Sequence, residues 1–74
     1  MGLLTTIRLI IARRLAYQKG VMTVMSVLPG KYSFKQVHAA IQTAGVAPYE
    51  VSISLMANNE TDALRRFYDA LEKR

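Results

Sequence analysis

Arg8, Arg13, Arg14, Lys19, Lys31 and Lys35 make the clearest chemical offer in this chain, because no Asp or Glu accompanies them anywhere in its first 49 residues. All five acids, Glu50, Glu60, Asp62, Asp69 and Glu72, fall in the last 25 residues, where Arg65, Arg66, Lys73 and Arg74 nearly balance them. The formal net charge of +5 therefore belongs to one end of the molecule. A one-sided basic surface attracts polyanions such as nucleic acid, an anionic membrane or an acidic protein face.

Catalytic chemistry finds few materials. One histidine, His38, and no cysteine leave no Ser/His/Asp or Cys/His set, no thiolate metal site and no disulfide framework. The acids are spread along a surface segment rather than paired at an apolar pocket, and no glycine-rich phosphate loop is present. The expectation is a non-enzymatic protein without cofactor or metal. Its cysteine-free composition fits a cytoplasmic setting.

At 74 residues the chain makes a single domain, 1–74, and a core of that size gains from dimerisation. With 51 % hydrophobic and 20 % charged residues it is too apolar for a disordered basic tail. The apolar N-terminus is interrupted by Arg8 and ended by Arg13 and Arg14, short of the roughly 20 apolar residues a spanning helix needs. An amphipathic helix lying on anionic lipid stays open.

The elements that must position these side chains follow from periodicity and punctuation. Leu4, Ile7, Ile11 and Leu15 form an apolar stripe, widened by Leu3 and Ile10, that predicts a helix over 3–18, with Gly20 as its stop. Val21, Val24, Met25 and Leu28 give a second helical stretch, and Met22, Met25 and Met56 suit core filling. Ser33 is an N-cap for a helix over 33–44 that ends at Gly45. Asn59 with Asp62 suggests the start of a last helix over 60–73, with Ala63, Phe67, Ala70 and Leu71 inward. Residues 47–57 are ambiguous: Pro48 suits a first helical turn, yet Tyr49, Val51, Ile53 and Leu55 alternate with polar residues as in a half-buried strand.

The runs Tyr32-Ser33-Phe34-Lys35-Gln36-Val37 and Ala44-Gly45-Val46-Ala47-Pro48-Tyr49-Glu50-Val51-Ser52 resemble the helix-turn-helix of winged-helix and repressor-headpiece DNA-binding domains. Gly45 would permit the left-handed turn, and Val46 and Val51 would wedge between two steeply crossing helices. The resemblance implies an all-α domain of four to five short helices around a helix-turn-helix, acting as a DNA-binding transcriptional regulator. Arg8, Arg13, Arg14, Lys19, Lys31 and Lys35 would then capture phosphates, while Tyr49 and Ser52 approach the groove, from both protomers of a homodimer.

Read instead as strand, residues 49–56 resemble part of a small ferredoxin-like regulatory domain of the ACT type, an α+β alternative that implies ligand binding. A further alternative is a compact module that binds and modulates an acidic face of a larger protein. Taken singly, His38 suits a half-exposed surface site, and Tyr32 and Tyr49 suit amphipathic packing with a wet hydroxyl.

Overall fold

The structure, a computed structural model, describes residues 2–73, the side chains of residues 3–6 excepted. Among these residues four α-helices form and take up 76 % of the chain: α1 (Leu3–Val27), α2 (Phe34–Ala44), α3 (Pro48–Met56) and α4 (Asp62–Glu72). Among the described residues no strand forms, so the all-α expectation holds and the ferredoxin-like alternative does not.

Gly20 does not stop the first helix, which runs 25 residues without a break and merges the two expected N-terminal stretches. The glycine serves packing instead. A Cβ placed there would lie 2.8 Å from Pro48 Cβ, so the missing side chain is what lets α3 begin directly against α1.

The caps of α2 are those the sequence suggests. Ser33 Oγ accepts from the Gln36 N–H at 3.1 Å while the Ser33 N–H donates to Gln36 Oε1 at 2.8 Å, a reciprocal capping box. Gly45, at φ 67°, closes the helix in the left-handed region.

Residues 48–56 are helical, with Pro48 in the first turn where its missing N–H has no partner to lose. The two-residue alternation is a by-product of this short helix: Val51 is buried while Tyr49 and Ile53 stand in solvent. A Schellman motif ends α3, with Asn58 at φ 52° and the Asn59 N–H donating to the Ser54 carbonyl at 2.9 Å. Asn59 is thereby part of the α3 terminus and does not cap α4. Thr61 does, its Oγ1 accepting from the Leu64 N–H at 3.2 Å. Buried Ser54 ties the two elements together: its hydroxyl donates to the Glu50 carbonyl at 2.7 Å and meets Thr61 Oγ1 at 2.6 Å.

The core is built from one face of each helix. Val21 and Val24 of α1, Val37 and Ile41 of α2, Val51 of α3 and Phe67 of α4 are all fully buried. Helix α2 lies on α4 and α1, and α3 lies on α1 and α4, whereas α2 and α3 scarcely approach each other. Gly45 makes the turn between α2 and α3, with Val51 buried in the core and Val46 half-buried against it. The expected packing of α3 on α2 does not form, because α3 spends its apolar face on α1 at Gly20. Met22 and Met56 are also not core fillers, each being 61 % exposed.

Only the second half of α1 belongs to this body. The first half projects from it, and the molecule measures 42 × 26 × 20 Å. Its radius of gyration, 13.7 Å, exceeds the roughly 11 Å of a compact domain this long.

Candidate interaction surface on the free half of α1

From Ile7 to Ala16 every side chain of α1 is exposed. Of the apolar stripe expected to face a core, Ile7, Ile10, Ile11 and Leu15 face water, and with Leu9 outside the stripe they are 42–60 % exposed. Leu4 lies outside the described side chains. The reason is topological. Helix α2 ends near Arg14, where Arg14, Tyr17, His38 and Gln42 line a shallow depression, and α3 starts at Gly20, so no element reaches further back along α1.

At 100° per residue the aliphatic side chains of this segment do not share one face. Ile7, Ile11 and Leu15 follow one another, Ile10 stands to one side, and Leu9 projects from the opposite surface. A helix apolar on most sides calls for cover on most sides. Full burial of one large aliphatic residue contributes about 1.5–3 kcal/mol. Five that are roughly half-exposed therefore hold back on the order of 4–8 kcal/mol of hydrophobic stabilisation, which only an external surface can supply.

The arginines lie among these aliphatics. Arg13 and Arg14 project about a quarter-turn apart, and Arg8 shares a face with Lys19 near the body. All four are exposed. Among the described residues the ion pairs are Asp62 with Arg66 at 3.8 Å and Asp69 with Lys73 at 3.0 Å, both on α4, so these four cations have no acid beside them.

The six predicted cations do not form one patch. Lys31 in the α1–α2 turn and Lys35 in the first turn of α2 are exposed at the other end of α1, about 28 Å along the helix from Arg8. Tyr49 is 63 % exposed, but its outward neighbours on α3 are Glu50 and Ile53, with no cation among them. Ser52 faces inward instead: it is 5 % exposed and its hydroxyl donates to the Tyr49 carbonyl at 3.1 Å. The inward position follows from the helix, which puts Ser52 on the same side as Pro48.

Where α1 leaves the body, Tyr17 stands edge-on to His38 at 5.4 Å, and His38 stacks on Phe34 at 5.6 Å. Burial at this junction raises the Tyr17 pKa above its ordinary value of 10.0. Periodicity could not show that Ile7, Ile10, Ile11 and Leu15 stand in water, since a core stripe shows the same spacing. The informative signal is Leu9 set opposite the stripe, which no single packing face can absorb.

Among the described residues no group of His, Cys, Asp or Glu is placed to hold a metal ion, and no helix is long and apolar enough to cross a membrane. Comparison with family models, with curated sequences and with solved structures finds no match for this chain.

Proposed function

We propose that this protein is a non-enzymatic interaction module that docks the free half of α1 on an acidic, apolar-grooved face of a larger protein. The observation that carries this reading is the joint exposure of five large aliphatic residues and three arginines on one unpaired helix segment. Aliphatic side chains supply affinity where a groove removes them from water, and the arginines select an acidic rim and speed the encounter. The cysteine-free composition supports a cytoplasmic setting for this work.

The DNA-binding reading has weaker support. The outward face of α3 offers Tyr49, Glu50 and Ile53, which supply neither the paired donors nor the charge for base readout. Phosphate capture by Arg8, Arg13 and Arg14 would leave the intervening isoleucines and leucines in water. A membrane surface is also disfavoured, because a helix lying on lipid separates its apolar and charged faces, and here Arg14 interrupts the aliphatic side.

A photo-crosslinker at Leu9, placed in the protein in its native cells, tests the proposal. The expected product is a cross-link to an acidic protein, lost when Arg13 and Arg14 are both changed to Glu and kept when Arg65 and Arg66 are changed instead. Cross-links confined to nucleic acid or lipid, or a product lost only with the Arg65/Arg66 variant, refute it.

A further inference from the structure

The body carries a second unpartnered apolar surface. Tyr49, Ile53 and Met56 repeat at helical spacing along the outside of α3 and are 55–63 % exposed. Together with Val46 and Ala63 of the facing elements, Tyr49 and Ile53 line a groove of about 600 Å³ between α3 and the start of α4. Its charged residues are Glu50, Asp62 and Arg66, and Arg66 is drawn to Asp62 at 3.8 Å, which leaves the groove net acidic.

One molecule therefore holds a basic, apolar helix without a groove and an acidic, apolar groove without a helix. We infer that the free half of α1 seats in the α3–α4 groove of a second copy, and that the exchange is reciprocal, giving a closed two-fold dimer. A chain cannot satisfy itself, because α1 is one continuous helix that leads its free half away from the body.

Three features favour a second copy in this groove. The charges are complementary, with Arg8, Arg13 and Arg14 meeting Glu50 and the Asp62 side, whereas α1 paired with α1 would place arginine near arginine without any acid. Pro48 rests on Gly20 and Tyr49 follows it, so the Tyr49 end of the groove lies close to where the free half of α1 leaves the body. Two bodies set head to head then lay each helix along the other's groove. Finally, a reciprocal contact covers both apolar surfaces twice per dimer, and a self-complementary interface closes at two copies. The inference concerns the free protein and does not depend on the larger partner proposed above, which would compete for the same helix.

Sedimentation equilibrium of the purified chain, combined with mixing of two variants, provides the test. One variant carries Ile11→Ser and Leu15→Ser, and the other carries Ile53→Arg. All three positions are exposed, so circular dichroism should show both variants folded. The wild type is expected to be dimeric, each variant at least tenfold weaker in self-association, and a one-to-one mixture of the two to recover a heterodimer through its one intact helix–groove contact. A monomeric wild type overturns the inference. So does a dimer weakened by the α1 changes but untouched by Ile53→Arg, because the helices would then pair with each other, and so does a mixture with no heterodimer. A dimer formed as described without any acidic protein cross-linked in cells would refute only the earlier proposal, and the converse would refute only this one.

Discussion

Replacing Gly20 by Ala sets two known effects against each other at one atom. In the interior of a helix, Ala is favoured over Gly by about 0.8–1.0 kcal/mol, so helix propensity alone makes Gly20→Ala stabilising. The added Cβ, however, would sit 2.8 Å from Pro48 Cβ and 3.4 Å from Pro48 Cγ. Carbon atoms in favourable contact stand about 3.5–4.0 Å apart. The proline ring cannot rotate aside, so α3 must shift, and such overpacking costs about 1–3 kcal/mol. Subtraction gives a net loss of about 1 kcal/mol, within a range of roughly 0–2. For a domain this small the central value lowers the melting temperature by about 4–8 °C. Thermal and urea unfolding followed by circular dichroism measure it, and Gly20→Val should lose more than Gly20→Ala. A variant stabilised by the full propensity gain of about 1 kcal/mol would show that α1 and α3 do not approach at Gly20. Helix α3 would then have no close contact at Gly20 to draw it from α2 to α1.

Other consequences follow from the same structure. Ser54→Ala removes the bridge between the Glu50 carbonyl and the Thr61 cap, and should cost about 1–2 kcal/mol in urea unfolding. Combined with Thr61→Ala, it should be clearly non-additive, since both changes delete one shared hydrogen bond. Phe67→Ala, at a fully buried site, should cost about 3–5 kcal/mol and leave much of the chain unfolded at room temperature. The Tyr17 pKa is raised in the fold, so its contribution to stability is fully present below the unfolded-state value near 10 and is lost as pH rises through the folded-state value. Denaturation titrations across that alkaline window should show stability falling, with a shallower fall for Tyr17→Phe. At neutral pH, changing Ile7 or Ile11 to Ser should alter the stability of the isolated body by no more than about 0.5 kcal/mol, as measured at low protein concentration.

Much of the fold was legible where a local rule and the tertiary contacts agree. Ser33, Gln36 and Gly45 bound α2 through groups that act within a few residues of one another. Pro48 marks the start of α3 for a similar reason. The sequence misleads where one residue type serves two purposes. Gly20 matches a helix stop by type and position, but its role is set by Pro48, 28 positions along the chain. Asn59 reads as a cap for the following helix, yet its N–H completes the end of the preceding one. The candidate site was legible as charge and illegible as surface. The basic segment was plain, but whether its isoleucines meet a core or water depends on how far α2 and α3 extend along α1. Ser52 failed on the same ground, because helical phase turns it inward.

The N-terminal half of α1 starts at Gly2 with no side-chain cap and has no acid in its first turn. A helix of about a dozen residues is marginal on its own in water, so the order of this segment propagates outward from the part of α1 clamped in the body. In the association proposed for this segment, binding strength is then governed by a helix–coil equilibrium as well as by the contact surface, and the surface that receives it must supply the free energy of ordering that the chain has not already supplied. A change remote from every contacting side chain becomes a handle on affinity. Gly2→Asp, which adds a cap and a negative charge at the positive end of the helix dipole, would tighten association by pre-forming the segment rather than by touching what it binds.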